Sequence, residues 1–465
     1  MTKDRLLAAV HPYGQEHLLA FWEQLDAGGR ALLAQQIEAI DFARVRRLYE
    51  GRGHQASMGA LAARAQEPPA FRLDSPGNPF SPQQARQRGI EALRAGQMGV
   101  ILTAGGQGTR LGFHRPKGLF PIGPISQKSL FQIHIEKVMA AARRYGARIP
   151  LYVMSSPATH AETVAFLAEH QRFGLPEDEL LVFCQGTMPA VDEQTGRVLL
   201  ESPGQIALSP DGHGGLLAAL RRGGALEDIE RRGVRHLFYL QVDNPLVDIC
   251  GPEFLGYHLL SDSEFSSQVV AKQDPLERVG NVVQVDGRLM VIEYSDLPDE
   301  AARRRHADGS LAIWAGSIAV HVIDAAFLRR VTEQAESLPF HIAHKKSSYI
   351  DASGRRIEPS APNALKFERF IFDLMPLARN AIAVEVDPAR AFAPLKNASG
   401  ARTDTPEAVR AAMAGLYRGW LRQVGTRVDD GVTVEISPLY ALDAEELASK
   451  LASGTRIRES TYFGD

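Results

Sequence analysis

Apolar and polar positions form two kinds of segment along this chain. Short apolar runs such as MGVILT at 98–103, LYVMSS at 151–156, LLVFCQ at 180–185 and HLFYLQ at 236–241 predict buried strands. Helical spacing of apolar residues appears between them, as in HAETVAFLAEH at 160–170 and in the segment containing LLAALRRGG. This alternation predicts an α/β fold with a doubly wound, largely parallel sheet that runs to about residue 395.

Two further regions flank the α/β segment. Residues 15–40 repeat apolar side chains at helical spacing, which predicts an N-terminal helical cap. A proline-rich connection and a helix over about 82–95 lead to the first strand, with Gly96 at the helix end. A second amphipathic helix, near 406–424, precedes short strands and turns. We therefore expect an N-terminal helical region over 1–95, a catalytic domain over 96–398 and a small C-terminal region over 399–465.

Composition narrows the classes of partner. The 52 basic and 55 acidic residues are interleaved, so the chain lacks the basic stripe with which proteins bind nucleic acid. No stretch reaches the ~20 apolar residues that cross a bilayer, and the first residues lack a signal-peptide pattern, so we expect a cytoplasmic protein with no membrane partner. Two cysteines are too few for a disulfide framework or a thiolate metal site.

The stretch VILTAGGQGTRLGFHRPKG, at 100–118, joins a strand to a glycine-rich loop. Such a loop lies where open α/β sheets bind ligands, and its bare backbone N–H groups can approach a phosphate. Arg110 and Lys117 add two cations that suit a triphosphate, which weighs against the alternative of a loop that serves only packing. The P-loop pattern fails at Arg110, and the dinucleotide fingerprint fails at Leu111.

A series of motifs in order resembles a known family. The chain is similar to the UDP-N-acetylhexosamine pyrophosphorylase branch of the UTP:sugar-1-phosphate uridylyltransferases over about 99–398. That resemblance implies a GT-A-like Rossmann-type nucleotidyltransferase core, UTP and a sugar 1-phosphate as substrates, and Mg²⁺ as cofactor. The motifs that carry it are TAGGQGTRLGFHRPKG, LFQIHIEKV, CQGTMPA, SPDGHGGL, QVDNPLV, ERVGNVV, VIEYSDL, NALKFERFIFD and AFAPLKNA.

The resemblance also implies a nucleotide site. It places Arg110 and Lys117 on the triphosphate, with Lys366 as a further phosphate ligand, although that lysine taken alone would read as a surface residue. The residues implied to contact the nucleotide are Thr103, Ala104, Gly105, Gly106, Lys117, Gln185, Gly212, Asp243 and Lys366. For Gln185 the alternative is a buried amide that bonds its own loop.

Asp243 follows the strand that ends in LQV, so its carboxylate should emerge at the carboxyl edge of the sheet. A carboxylate there is a suitable hard-oxygen ligand for Mg²⁺, and a cap of the following turn is the alternative. Lys396 is implied as the ligand of the sugar phosphate, and with Arg110 and Lys117 it makes up the expected catalytic set.

Further residues are implied for the sugar. Glu293 and Tyr294 would bind hydroxyl groups beside Gly280, while Phe370 and Phe372, which alternate on one predicted strand, would either wall the pocket or pack in the core. The chain departs from the family at two positions. It has PDGHGG where the family has PDGNGG, which introduces His213, and AGS where the family has AGN, which introduces Ser317.

The implied reaction is an in-line attack of the sugar-1-phosphate oxygen on the α-phosphorus of UTP, with release of pyrophosphate. The sugar is expected to be N-acetylglucosamine 1-phosphate. One alternative is a uridylyltransferase for glucose 1-phosphate or galactose 1-phosphate, and another is a non-catalytic nucleotide-sugar binding protein. A nicotinamide oxidoreductase is disfavoured by the failed dinucleotide fingerprint.

Overall fold

The computed structural model of the chain describes residues 2–53, 58–334, 338–452 and 454–464. Residues 1 and 465, the outer bounds of the predicted terminal regions, lie outside the described residues. The chain divides into two units. The predicted boundaries of the catalytic domain, at 95/96 and 398/399, stay predictions. Unit 1 comprises Met1–Met58, Gln185–Leu216 and Glu336–Asp373, and unit 2 comprises Gly59–Cys184, Leu217–Ala335 and Leu374–Asp465.

The α-helices of the described residues are α1 Lys3–Val10, α2 Ala27–Ala39, α3 Phe42–Glu50, α4 Met58–Arg64, α5 Pro82–Arg94, α6 Leu130–Tyr145, α7 His160–Glu169, α8 Leu216–Arg222, α9 Ala225–Arg231, α10 Pro252–Leu260, α11 Asp299–Ala302, α12 Ala325–Glu333, α13 Pro388–Ala391, α14 Pro406–Gln423 and α15 Ala444–Ala448. Their strands are β1 Ala70–Phe71, β2 Met98–Thr103, β3 Leu151–Ser155, β4 Leu180–Cys184, β5 Thr187–Pro189, β6 Val191–Asp192, β7 Leu200–Ser202, β8 Gln205–Ile206, β9 Leu208–Pro210, β10 His236–Gln241, β11 Phe265–Ala271, β12 Gly280–Val285, β13 Arg288–Ile292, β14 Ala315–Asp324, β15 His341–Lys345, β16 Tyr349–Ile350, β17 Arg356–Ile357, β18 Ala364–Glu368, β19 Ala381–Glu385, β20 Arg427–Val428, β21 Val434–Ile436, β22 Arg456–Ile457 and β23 Thr461–Phe463.

Unit 2 is built on the ten-stranded central sheet. Its main path runs β1-β19-β11-β14-β10-β2-β3-β4, and the hairpin β12–β13 attaches to β14. Along this path only β14 pairs antiparallel with its neighbours among the described strands. All six residues of β2 are buried, as expected for a parallel strand covered on both faces. The predicted α/β fold with a mostly parallel sheet is therefore confirmed.

Helix α5 shows how local sequence sets an element that packs on this sheet. Ser81 and Gln84 form a capping box at its start, Pro82 occupies its first turn, and Gly96 follows its end with a φ of +66°. These signals explain why the predicted helix over 82–95 matches α5 closely. The proline-rich connection before it contributes β1, a short edge strand that the sequence pattern did not predict.

Unit 1 has its own apolar core. Leu6, Leu18, Trp22, Leu33 and Phe367 are all buried in it. The predicted helical cap over 15–40 is only partly α-helical. Short 3₁₀ helices at Glu16–Leu19 and Trp22–Gln24 precede α2. Among the described residues, no helix is both long enough and apolar enough to cross a bilayer.

Candidate active site

The glycine-rich loop leaves the carboxyl end of β2 and is held by backbone contacts. Ala104 N donates to Met154 O at 2.7 Å, and Ser156 Oγ donates to Gly105 O at 2.7 Å. The loop then turns back, because Lys117 N donates to Gly106 O at 3.0 Å. A Cβ at Gly106 would meet open space, so this glycine leaves one side of the backbone clear. The loop therefore presents an open stretch of backbone at the sheet edge.

Lys117 is fixed at the end of this loop. The next residue, Gly118, packs so closely on α6 that a Cβ there would lie 2.2 Å from the Phe131 ring. The Lys117 Nζ lies 3.3 Å from Asp243 Oδ2, and the two side chains are 18% and 13% exposed. Because β2 and β10 are parallel neighbours, the loops that follow them emerge side by side. The structure thus brings together two residues that the sequence predicted separately.

The segment that holds Asp243 is anchored from two sides. His134 Nε2 donates to Val242 O at 3.0 Å, and burial lowers the pKa of this histidine to about 4, so it is neutral at pH 7. Asn244 donates to Ala391 O at 2.8 Å and accepts from Ala393 N at 3.1 Å. Asn244 therefore ties the Asp243 segment to the chain that leads to Lys396.

The backbone segment that holds Lys396 lies beside Asp243. Leu395 N donates to Asp243 O at 2.8 Å, and the Lys396 Nζ lies 6.0 Å from the Phe392 ring centroid. The Arg110 side chain is exposed, whereas those of Lys117 and Lys396 are partly buried. Like Lys396, Arg110 makes no side-chain hydrogen bond or ion pair among the described residues. The structure places Lys117, Asp243 and Lys396 in one neighbourhood and leaves Arg110 on the exposed loop.

A second group in unit 2 gathers three of the residues implied for the sugar. Gly280 pairs with Ser317 across β12 and β14. A Cβ at Gly280 would lie 2.8 Å from Val291 Cγ1, 3.2 Å from Glu293 Oε1 and 3.9 Å from Ser317 Cβ, so a side chain added here would crowd its neighbours. Ser317 Oγ accepts from Ala319 N at 3.3 Å, while Tyr294 is 47% exposed. Gly280, Glu293 and Ser317 therefore converge, with Tyr294 at the surface beside them.

His213 lies in an aromatic group within unit 1. Its ring centroid is 5.2 Å from that of Phe370 and 5.7 Å from that of Phe372, and the His341 ring lies tilted against Phe370 with the centroids 4.5 Å apart. His213 Nδ1 accepts from Ile371 N at 3.0 Å, and burial lowers the pKa of the imidazole to about 4. His213 is consequently neutral at pH 7, with its proton on Nε2.

The prediction that Phe370 and Phe372 alternate on a strand is wrong. Strand β18 ends at Glu368, and Phe372 lies in the 3₁₀ helix Ile371–Leu377. The buried pair Asp211 and Arg369, 2.8 Å apart, turns the chain here, and Gly214 N donates to Arg369 O at 2.7 Å. These contacts pull the segment out of the extended conformation that the alternation of apolar residues suggested.

Three more residues implied for the nucleotide lie in unit 1. Gln185 is 8% exposed, and its amide makes no hydrogen bond to the described residues. Lys366 is half-buried on β18, opposite Ala343. A Cβ on Gly212 would lie 2.3 Å from Arg369 O, so this position requires glycine. Their roles toward the nucleotide stay predictions.

Several residues that build the site are not among those predicted from the sequence. Ser156 and Asn244 position the glycine loop and the Asp243 segment through the hydrogen bonds given above. Asp404 accepts from Lys396 N at 2.9 Å, and it lies beyond the last family motif. For Asn244 the sequence does hold a signal. It lies in the sequence DNP after β10, and an asparagine that follows a strand often bonds to nearby backbone.

A mostly parallel α/β sheet with a glycine loop, two lysines and an aspartate at its carboxyl edge is the arrangement expected of an α/β nucleotidyltransferase. The family model described as UTP–glucose-1-phosphate uridylyltransferase matches residues 79–414. The chain belongs to that family, as its motifs indicated.

Individual relatives cover nearly the whole chain. The UDP-N-acetylglucosamine pyrophosphorylase of Saccharomyces cerevisiae is 36% identical over 94% of this chain and 94% of its own length. The human UDP-N-acetylhexosamine pyrophosphorylase-like protein 1 is 38% identical over 96% of this chain and 94% of its own length. A solved structure of the uridine diphosphate N-acetylglucosamine pyrophosphorylase of Trypanosoma brucei superposes with a TM-score of 0.83 at 28% identity, covering 97% and 95% of the two chains.

Proposed function

We propose that this protein is a uridylyltransferase that makes UDP-N-acetylglucosamine and pyrophosphate from UTP and N-acetylglucosamine 1-phosphate. The observation that carries the proposal is the pairing of Lys117 Nζ and Asp243 Oδ2 at 3.3 Å, where the glycine loop and strand β10 end. A lysine and a carboxylate at this edge provide a phosphate ligand and a metal ligand side by side. The names of the nearly full-length relatives support the choice of substrates.

The chemistry requires charge stabilisation more than proton transfer. The sugar phosphate is already ionised at pH 7, so its oxygen attacks the α-phosphorus without a general base. Lys117, at the end of the glycine loop, offsets the charge that grows on pyrophosphate as it leaves, and Arg110 reaches the triphosphate from the exposed loop. Lys396 orients the attacking phosphate.

The residues present fit a magnesium ion. Asp243 Oδ1 has no hydrogen-bond partner among the described residues, and its carboxylate is partly accessible. The described residues hold no group of three or more potential protein ligands, so phosphate oxygens and water would complete the coordination. When bound, Mg²⁺ neutralises charge on the triphosphate and helps to orient it for in-line transfer.

The group of Gly280, Glu293 and Ser317 is compatible with this sugar. Ser317 stands where the family motif has the longer asparagine, so an acetamido group can be accommodated at the implied position of the 2-substituent. The same space gives little discrimination against a 2-hydroxyl, and glucose 1-phosphate is therefore the alternative substrate.

The decisive experiment measures pyrophosphate release from UTP and Mg²⁺ with a panel of sugar 1-phosphates. N-acetylglucosamine 1-phosphate should give the highest kcat/KM, and omission of the sugar should abolish release. Higher kcat/KM for glucose 1-phosphate or galactose 1-phosphate would assign the alternative substrate. Release with none of the sugars, while UTP still binds in equilibrium dialysis, would indicate a non-catalytic nucleotide-sugar binding protein.

A further inference from the structure

The half-buried Lys137 on α6 directs its ammonium at the backbone that follows Asp243. Lys137 Nζ donates to Pro245 O at 2.6 Å and to Val247 O at 2.8 Å. It makes no ion pair among the described residues, so these two carbonyl groups are its hydrogen-bond partners there. A lysine of the motif LFQIHIEKV therefore bonds to backbone rather than to a carboxylate.

The backbone around Asp243 needs donors from outside its own segment. Between β10 and α10 the chain consists of turns and irregular backbone. Buried carbonyl groups in such a segment have no ladder to bond them, so they require other N–H donors. Helix α6 supplies two of these donors from one face, since His134 and Lys137 are three positions apart. They bond to carbonyl groups on either side of Asp243, at Val242 and at Pro245.

A cavity of about 290 Å³ lies beside the same segment. Its lining includes Lys137, Pro245, Leu246 and Asp248. A turn beside a cavity has fewer contacts to oppose its displacement than a turn in a close-packed core. The hydrogen bonds of Lys137 therefore matter more for the position of this segment than they would in a filled core.

The Asp243 side chain depends on its backbone for its position. Its hydrogen bond with Lys117 Nζ, at 3.3 Å, is the only one that it makes to the described residues. Leu395 N donates to Asp243 O at 2.8 Å, which holds the backbone of Asp243 itself. A shift of the turn after β10 would therefore move the carboxylate away from Lys117.

We propose that Lys137 is a positioning residue for uridylyl transfer, which holds the turn after β10 so that the Asp243 carboxylate stays beside Lys117 and accessible to Mg²⁺. This inference rests on the proposed function. Removal of a residue that orients a metal ligand typically costs about 10- to 100-fold in metal affinity or activity. Lys137 bonds to the backbone of the segment and not to the Asp243 carboxylate, so its effect must pass through the position of that carboxylate.

The first test measures the dissociation constant of UTP by equilibrium dialysis, once with Mg²⁺ and once with a chelator in its place. Lys137→Met removes the N–H donors and keeps a long, unbranched side chain. We expect UTP binding to weaken by about 10-fold with Mg²⁺ and by less than ~2-fold with the chelator. The Mg²⁺ concentration that gives half-maximal pyrophosphate release should rise by a similar factor.

Two further variants separate positioning from a general loss of structure. Lys137→Arg should stay within ~3-fold of the parent, because a guanidinium can donate to two carbonyl groups and the cavity leaves room for it. Lys272→Met is the matched control. Lys272 Nζ donates to Asn281 Oδ1 at 2.6 Å and to Pro275 O at 3.2 Å, and it bonds to no residue of the Asp243 segment. The Lys272→Met variant should leave the Mg²⁺ dependence of UTP binding unchanged.

A double-mutant cycle then tests whether Lys137 acts through Asp243. In an Asp243→Asn background, Lys137→Met should change the UTP dissociation constant with Mg²⁺ less than ~2-fold, so the two losses do not add. The proposal is overturned by parental UTP binding in Lys137→Met, by an equal loss in both backgrounds or with and without Mg²⁺, or by a Lys137→Arg variant as weak as Lys137→Met. If Lys137→Met does not fold, judged by its thermal unfolding transition, Lys137→Gln takes its place, because its shorter amide does not reach both carbonyl groups.

The outcomes separate this inference from the proposed function. A parent enzyme that releases pyrophosphate, combined with additive losses, overturns only the role of Lys137. A parent that releases no pyrophosphate with any sugar 1-phosphate overturns the proposed function and this inference with it. A parent that releases pyrophosphate but binds UTP equally well with and without Mg²⁺ overturns the role of Lys137 and leaves the uridylyltransferase assignment standing.

Discussion

Lys117 and Asp243 are 126 positions apart in sequence, yet their side chains meet at 3.3 Å. The contact forms because β2 and β10 pair in parallel, with Thr103 opposite Gln241, so that both following segments reach the same edge. At the scale of single residues, the site is a small set of charges of opposite sign placed by strand register. Substitution of one charged residue at a time should therefore show which of them contribute to substrate binding and which to the chemical step.

Lys117→Ala should lower kcat/KM by at least ~10²-fold, because it removes charge stabilisation that grows as pyrophosphate leaves. Pyrophosphate release under initial-rate conditions measures the effect. Lys450→Ala, which removes an exposed lysine near the C-terminus, serves as the control and should retain parental rates. Near-parental turnover in purified Lys117→Ala would exclude this residue from the reaction.

Asp243→Asn keeps the shape of the side chain and removes its negative charge. The Mg²⁺ concentration that gives half-maximal activity should rise by about 10-fold or more, because a neutral amide is a weaker ligand for a hard cation. A chelator should silence the parent enzyme. Overlapping Mg²⁺ titrations of the variant and the parent would show that Asp243 does not bind the metal.

Ser317→Asn tests the sugar site. Asparagine reaches further and can both donate and accept toward an acetamido group, so the preference for N-acetylglucosamine 1-phosphate over glucose 1-phosphate should widen. In the parent enzyme we expect this preference to stay within roughly 10- to 200-fold. Competition between the two sugars gives the ratio of their kcat/KM values. An unchanged ratio in the variant would place Ser317 away from the 2-substituent.

At the scale of elements, the close contact of α5 with α10 depends on two glycines. A Cβ at Gly89 would lie 1.9 Å from Pro252 O, and one at Gly256 would lie 1.7 Å from Ala85 O. The helices can approach this closely only without side chains at these positions. The sequence pattern predicted α5 but contained no sign that its partner would pack backbone against backbone.

Gly256→Ala should destabilise the protein by at least ~2 kcal/mol, because the clash is with rigid backbone and the helices must separate. The measurement is urea unfolding followed by circular dichroism. Gly415→Ala is the matched control on α14, where an added Cβ meets nothing within 4 Å. There the same substitution should stabilise the helix by about 0.5–1 kcal/mol. Equal effects at the two sites would contradict the packing argument.

At the scale of the whole molecule, buried neutral histidines link stability to pH. His134 is fully buried, donates to Val242 O, and has a pKa of about 4 against an ordinary value of 6.5. Between these two values the unfolded chain binds a proton that the folded chain does not, so stability falls as the pH falls from 6.5 to 4. The loss from this group alone is at most about 3 kcal/mol.

His134→Gln should therefore reduce the pH dependence of the free energy of unfolding by up to about 1.4 kcal/mol per pH unit between pH 6 and 4.5. Urea unfolding at a series of pH values measures this slope. His114→Gln, at an exposed position, provides the control and should leave the slope unchanged. If the slopes of His134→Gln and the parent coincide, His134 does not contribute to acid destabilisation.

The sequence alone determined the α/β class, the strand β2, the helices α5 and α14, and the motifs that identify the family, because short-range periodicity and caps encode these features locally. Tertiary structure decided the antiparallel placement of β14, the turn that takes Phe372 out of a strand, and the meeting of Lys117 with Asp243. It also decided the backbone contacts of Leu395 with Asp243 and of Lys396 with Asp404. These features depend on strand register and on hydrogen bonds between residues far apart in sequence. No local pattern of apolar and polar residues specifies such contacts.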